Sequence, residues 1–269
     1  DVNLGDQGGF TPFFIACETG HIDIIKLLLN HENVDVKKAS NTGSSPFMIA
    51  CGKGLVELVS LLLHDQRIDI NQPNNNEATP FYIACQIGHI NVVKLLLNDE
   101  RIEINRTFKL GITSFHIACL YGQLDVVKFL LQFPELEVNK ASIDGSTALF
   151  FACEQGNPEV VKVLLNDKRV DPNLAKNGGA TPFFLACRSG YLEILHLLLQ
   201  DNRVEINRPN NNGATPFYSA CQNGHLEIVI TLLNDKRIDV TKEDNEGATP
   251  IYAACKNGNI EIVMLLLND

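Results

Sequence analysis

Cysteine recurs every 34 residues along this chain, at Cys17, Cys51, Cys85, Cys119, Cys153, Cys187, Cys221 and Cys255. So regular a period marks a repeat architecture, in which one supersecondary unit stacks on copies of itself because it cannot bury its apolar face alone. Other positions keep the same register. Alanine precedes every cysteine (Ala16 to Ala254), glycine follows three residues later (Gly20 to Gly258), and a leucine pair comes further on (Leu28-Leu29 to Leu266-Leu267). Eight periods of 34 make 272 residues and the chain has 269, so repeat fills it and leaves no segment for a separate catalytic domain.

Composition narrows the function classes. An apolar content of 45% with 20% charged residues is far from that of a disordered chain. No apolar run approaches the roughly 18 residues of a membrane helix, and the opening residues DVNLGDQGGF hold neither a basic stretch nor an apolar core. Membrane insertion and export are therefore not expected. With 22 basic against 32 acidic side chains, a net charge of −10, and the basic residues scattered, the chain offers no positive field to a phosphate backbone. Nucleic acid is not an expected partner.

Each unit reads as a helical hairpin. It opens on a hydroxyl residue (Thr11, Ser45, Thr79, Thr113, Thr147, Thr181, Thr215, Thr249), followed in six units by proline. A hydroxyl N-cap before proline at the first helical position starts a helix. The shared glycine about eight residues later suits the left-handed turn that ends one. A second helix follows, such as HIDIIKLLLN, with an acid in its first turn in seven units, Asn91 being the exception. Its apolar positions, such as Ile24, Ile25, Leu28 and Leu29, recur at helical spacing and form one face. The stretch before the next hydroxyl, such as DINQPNNNEATP, is asparagine-rich and has turn or hairpin chemistry.

A 34-residue period is also that of the tetratricopeptide repeat, but that pattern carries a characteristic tryptophan and this chain has none. The string Thr-Pro-apolar-x-x-Ala-small-x-x-Gly-His, seen as TPFFIACETGH over 11–21 and TPFYIACQIGH over 79–89, closely resembles the ankyrin repeat. It is followed by LLLN, Asp, Val or Ile, Asn and a glycine-bearing finger, and the resemblance covers every unit. It implies an all-α-dominated repeat solenoid of stacked helix-turn-helix pairs with projecting β-hairpin or turn fingers. A single array over residues 1–269 is expected, its units starting near the eight hydroxyl residues named above.

Three features depart from the family pattern. The usual unit has about 33 residues, and the extra one falls after the second helix, where Asn-Asp-x-Arg (Asn98 to Arg101, Asn234 to Arg237) replaces a shorter turn. The histidine usual at the fourth position of the Thr-Pro motif is kept only at His116, with Phe14, Met48, Tyr82, Phe150, Phe184, Tyr218 and Tyr252 elsewhere, which substitutes apolar packing for a polar contact. The second alanine of the motif is always cysteine. The chain starts at Asp1-Val2-Asn3, in register with Asp69-Ile70-Asn71, and stops after Leu265-Leu266-Leu267, so a piece of a longer array or multidomain protein is expected.

Packing competes with chemistry as the role of the recurrent cysteines, histidines and carboxylates. Cysteines one stacking distance apart, ~10 Å, lie beyond the roughly 4.4–6.8 Å between alpha carbons that a disulfide spans. Disulfides and shared metal sites fail on distance, leaving a small apolar residue in a helix seam. Reduced thiols favour a cytoplasmic location. His21, His89 and His225 occupy the repeat's own Gly-His position. No His-x-x-x-His, Cys-x-x-Cys, Gly-x-Ser-x-Gly, phosphate loop or dinucleotide fingerprint appears, so no catalytic residue, metal, cofactor or small-molecule substrate is expected. Carboxylates in register (Asp35, Asp69, Glu103, Glu137, Asp171, Glu205, Asp239) often stand two residues after an arginine (Arg67, Arg101, Arg169, Arg203, Arg237), which suggests local hydrogen bonds and exposed ion pairs.

The positions where units disagree carry the functional signal. The resemblance implies a protein or peptide partner held on a concave surface of finger tips and first-helix ends. The two residues before each shared glycine are mostly polar, yet they read Gln86-Ile87 and Leu120-Tyr121 in units three and four. The finger between reads Arg106-Thr107-Phe108-Lys109-Leu110-Gly111-Ile112, and the next adds Ile143. Ile87, Phe108, Lys109, Leu110, Ile112, Leu120, Tyr121 and Ile143 are the candidate partner-binding residues, since apolar side chains gathered on a polar surface mark an interface. The competing reading packs Phe108 and Ile112 against the neighbouring finger, because unit four has Ser114 in place of proline. A different class of function, a structural spacer or spring in a larger cytoskeletal or channel-associated protein, is favoured by the near-identity of the units.

Overall fold

The computed structural model describes residues 1–268 in two compact units, Asp1–Leu136 and the segment from Glu137 onward. Each holds four helix pairs. In the first, α1 (Pro12–Thr19) is paired with α2 (Ile22–Leu29), α3 (Pro46–Gly52) with α4 (Val56–Leu63), α5 (Pro80–Ile87) with α6 (Ile90–Leu96), and α7 (Ser114–Leu120) with α8 (Leu124–Leu130). In the second, α9 (Ala148–Glu154) is paired with α10 (Pro158–Asn166), α11 (Pro182–Ser189) with α12 (Leu192–Leu199), α13 (Pro216–Asn223) with α14 (Leu226–Leu233), and α15 (Pro250–Lys256) with α16 (Ile260–Asn268). Within each unit the first helices of successive pairs pack side by side, and the second helices form a row behind them.

Local chemistry explains where each helix starts and stops. All eight hydroxyl residues accept a hydrogen bond from the backbone N–H three residues on, from Thr11 with Phe14 at 3.1 Å to Thr249 with Tyr252 at 3.3 Å. That satisfies one of the amides a helix start leaves unpaired. At Thr113 the cap is reciprocal: His116 Nδ1 accepts from the Thr113 N–H at 3.0 Å. The shared glycine adopts positive φ in every repeat, between 69° and 92°, and turns the chain into the second helix.

The core is a row of identical positions. Phe13, Phe47, Phe81, Phe115, Leu149, Phe183 and Phe217 are buried, as are the cysteines from Cys17 to Cys221, while Cys255 is exposed. Burial pushes the Cys17 and Cys221 thiols up to about 12 and raises the others between them as well. These positions therefore act as small packing groups in the seam between helices. Phe14, Met48, Phe150 and Phe184 are buried too, so the positions where histidine gives way to larger apolar groups do fill the interior.

The fingers are turns rather than strands. In each, the first residue's N–H bonds the carbonyl four residues on, and the N–H of the fourth residue bonds back to the carbonyl of the first, as in Asn210→Ala214 (2.9 Å) and Gly213→Asn210 (3.0 Å). Among the described residues the isolated β-bridge is Thr107 with Thr113, in the fourth finger. Side-chain amides replace sheet pairing between fingers. Asn211 Nδ2 donates to the Asn177 carbonyl at 2.9 Å, Asn245 Nδ2 to that of Asn211 at 3.0 Å, and Asn75 Nδ2 to that of Asn41 at 3.0 Å.

A second amide row ties the loops that follow the second helices. Asn173 Nδ2 donates to the Arg203 carbonyl at 2.7 Å while its Oδ1 accepts from the Glu205 N–H at 2.8 Å, and Asn207 repeats the arrangement with Arg237 and Asp239. The arginines of this loop differ from the sequence reading. Each forms a bidentate pair with the aspartate two residues before it, Arg67 with Asp65 through Asp65 Oδ2 at 2.6 Å, and not with the carboxylate two residues after it. The reason is reach: a tight turn folds Arg67 back over Asp65, whose Oδ1 already accepts the Arg67 N–H at 2.9 Å. The freed corner of the guanidinium donates to the Leu29 carbonyl at 2.8 Å and caps the second helix of the preceding repeat.

Candidate functional site

In the first unit the finger row breaks at repeat four. Asn41 and Asn75 each bond the finger before them through both the side chain and the backbone N–H, Asn75 reaching Asn41 O at 3.0 Å and Thr42 O at 3.1 Å. Lys109 stands in the next position and makes neither bond. The residue at the head of this turn also changes: Asn74 Oδ1 accepts from the Asn76 and Ala78 N–H groups, whereas repeat four has Phe108, whose side chain has no oxygen to offer. The Phe108 ring instead meets Tyr82 edge-on, with centroids 4.8 Å apart.

That contact fixes the finger's apolar tip. Residues Lys109–Gly111 form a single 3-10 turn in which Leu110 takes φ 63°, a left-handed conformation that costs a side-chain-bearing residue about 1–2 kcal/mol. Leu110 is 61% exposed and Lys109 is exposed, while Ile112 and Phe108 are half-buried. On the adjoining helix ends, Ile87 closes α5 and is exposed, Leu120 closes α7 and is half-buried, and Tyr121 caps α7 and is exposed. Tyr82 holds the Phe108 ring, and burial, followed by the charge of Tyr121, pushes its phenol up to about 12.

The first unit thus holds seven of the eight candidate residues. Leu110, Tyr121 and Ile87 present apolar surface to solvent, Lys109 is exposed next to Leu110 in the chain, and Phe108 packs on Tyr82. Ile143 belongs to the second unit. It is 71% exposed at the tip of that unit's first finger, and its carbonyl accepts from Asn177 Nδ2 at 3.1 Å. This geometry can offer apolar contact with a polar surround; among the described residues no cluster of metal-ligating side chains forms.

Two participants went unread in the sequence. Tyr82 looks like any other residue at the former histidine position, and only its neighbours Phe108 and Tyr121 give it a role. Glu77 occupies the place of the finger glycine and takes φ 67°. At Gly43 an added Cβ would run into Asn75 Oδ1 of the next finger, and Gly179 and Gly213 face Asn211 and Asn245 in the same way. Counted on by the same 32 residues, Glu77 corresponds to Lys109, so here the glycine and the asparagine are both replaced. A missing glycine in one finger followed by a missing asparagine in the next was the available signal.

The remaining positions belong to the repeat itself. His89 Nε2 donates to the Gly52 carbonyl at 2.9 Å, His225 Nε2 to that of Arg188 at 2.8 Å, and Gln123 Nε2 to that of Gln86 at 2.8 Å. In these repeats the start of the second helix ties to the end of the preceding first helix, whereas Leu55 at the same position has no side-chain donor. No helix among the described residues is long and apolar enough to cross a membrane.

No curated protein matches the chain. A family model of three ankyrin repeats matches residues 1–74, 66–142, 133–210 and 202–269, which together span the sequence. Ankyrin repeats generally serve as protein–protein interaction modules without catalytic activity. With sixteen α-helices among the described residues paired in 34-residue periods, hydroxyl caps in every repeat and the family model matching from end to end, the chain belongs to the ankyrin repeat family.

Proposed function

We propose that this chain binds a protein or peptide partner on the finger-bearing side of its first unit, at Ile87, Leu110 and Tyr121, with Lys109 at the edge and Phe108 and Ile112 as the supporting base. The observation that carries this reading is the exposure of Leu110 at a finger that makes no amide bond to the finger before it. Five other fingers present asparagine, Asn41, Asn75, Asn177, Asn211 and Asn245, whose amides are engaged within the protein. Here the surface is aliphatic and aromatic, ringed by polar groups, the composition of an interface centre. Leu120 is half-buried beside exposed Tyr121, and Ile143 gives the second unit an exposed apolar anchor of its own. The eight repeats act as one non-catalytic array in this reading, and the buried row of thiols suits a reducing, cytoplasmic compartment.

The test is capture of a partner by the intact chain and by a Leu110→Ser/Tyr121→Ser variant. Both side chains are exposed, so the variant should melt within a few degrees of the parent. Retention of the partner should fall at least tenfold, which corresponds to about 1.4 kcal/mol. Equal capture by the two proteins would discard this surface and leave the spacer role as the better account.

A further inference from the structure

We infer that Asn177 is a site of self-modification, at which the Gly178 nitrogen attacks the Asn177 side chain and converts it into aspartate or isoaspartate, untying the finger over 176–180 from the finger before it. Four Asn-Gly pairs stand in the sequence, at 177–178, 212–213, 223–224 and 257–258. Glycine has no Cβ to shield the nitrogen that follows the asparagine, so each pair holds both reacting groups. Three of them engage that nitrogen. The Gly213 N–H donates to the Asn210 carbonyl at 3.0 Å, that of Gly224 to the Ala220 carbonyl, and that of Gly258 to the Cys255 carbonyl at 3.1 Å. The Gly178 N–H has no acceptor among the described residues.

The reason lies at the head of the turn. Asp6, Asn74, Asn210 and Asp244 each place a side-chain oxygen 2.9–3.0 Å from the N–H two residues on, those of Gly8, Asn76, Asn212 and Glu246. Lys176 fills this place in the sixth finger, and its side chain has no oxygen; its ammonium lies over the Phe150 ring, 5.2 Å from the centroid. Asn177 and Gly178 are both exposed, and a Cβ added at Gly178 finds nothing within 4 Å, so water reaches the pair. Of the finger asparagines Asn41, Asn75, Asn177, Asn211 and Asn245, Asn177 is the one that glycine follows.

The reaction needs only water. The Gly178 nitrogen bonds to Asn177 Cγ and gives up its proton, the Cγ–Nδ2 bond breaks, and ammonia leaves behind a cyclic imide. Water adding at Cγ restores the backbone as aspartate, and water adding at the backbone carbonyl reroutes the chain through Cβ as isoaspartate. Either product puts a carboxylate in place of the amide that donates to the Ile143 carbonyl at 3.1 Å. The fit there is close: a Cβ on Gly145 would lie 3.0 Å from Asn177 Oδ1, which leaves the repelled carboxylate little room to turn aside. The backbone bond from the Asn177 N–H to the Asp144 carbonyl, 2.8 Å long, then holds the two fingers alone. Chemistry thus brings this finger to the state that Lys109 gives the fourth by sequence, with exposed Ile143 at the released contact.

Ageing the intact chain in mildly alkaline buffer and mapping its peptides by mass spectrometry tests this. Asn177 should gain the mass of an amide-to-acid change roughly tenfold faster than Asn212, Asn223 or Asn257, the factor that one engaged N–H is worth. Gly178→Ala adds a methyl group into open space, so it should keep its helices by circular dichroism while slowing the change at Asn177 by a similar factor. Asn177→Asp supplies the aspartate product directly and should speed deuterium exchange of the amide at position 177, with that of Asn245 as the unaltered control. Equal rates at the four pairs, or an unchanged rate in folded Gly178→Ala, would overturn the modification site. Unchanged exchange in Asn177→Asp would overturn the untying of the finger.

Discussion

Asn177, Asn211 and Asn245 of the second unit each tie one finger to the finger before it, whereas the equivalent row in the first unit stops at Asn75. Where the row holds, asparagine and the glycine facing it are both required, because the close approach that makes the amide bond leaves no room for a Cβ. Where it stops, Glu77 and Lys109 fill the two positions, an aromatic pair holds the finger, and Leu110 turns outward. The contrast teaches that an engaged amide maintains the stack and commits the finger surface to it. Releasing one finger frees that surface to meet something else.

The sharpest way to break the comparison is in the interior. Phe183→Ala in the second unit removes a fully buried ring and should cost about 3–5 kcal/mol in urea unfolding. Phe108→Ala, at the half-buried edge contact with Tyr82, should cost only about 1 kcal/mol. A Phe108 effect as large as that of Phe183 would make the fourth finger part of the core. The glycine position comes next. Gly179→Ala should destabilise by about 1–2 kcal/mol, since it sits at φ 79° against Asn211, while Glu77→Gly should stabilise by about 1 kcal/mol.

Smaller effects separate the two kinds of finger. Asn211→Ala should cost about 1 kcal/mol through its lost amide bonds, and Lys109→Ala should stay within about 0.5 kcal/mol. Equal losses at the two positions would mean that the row does not carry the stability assigned to it. Both units should share the weakest effect. Hydrogen bonds from the adjacent arginines hold the Asp65, Asp99, Asp167, Asp201 and Asp235 carboxyls below their ordinary value of 3.8. A depressed folded-state value stabilises above the unfolded value and is lost as pH falls through the folded one, so melting should hold steady over roughly pH 5–7 and drop below about 4. Each pair is partly solvated and worth under about 1 kcal/mol, so Asp201→Asn should flatten the acid limb only slightly.

Much of this was legible because the repeat was. The hydroxyl caps, the left-handed glycines and the apolar face of the second helix are local devices, each encoded within a few residues, so Thr181-Pro182 and Gly190 could be read without a neighbour. The amide rows were not read, because an asparagine in an Asn-rich turn looks the same whether it faces water or the carbonyl 34 residues away. The arginine was assigned to the wrong carboxylate for a related reason: Asp65 and Asp69 both stand two residues from Arg67, and only the turn's direction distinguishes them. Phe108 and Leu110 stood out by composition alone, yet which of them would lie half-buried and which exposed depended on Tyr82.

The buried row of cysteines gives the molecule a built-in timer. A thiol in the helix seam can meet an alkylating reagent only when its own repeat opens, and the same residue at the same depth recurs from Cys17 to Cys221. Differences among their labelling rates would therefore rank the repeats by how often each comes apart, with Cys255 recording the rate of a thiol that has no such wait.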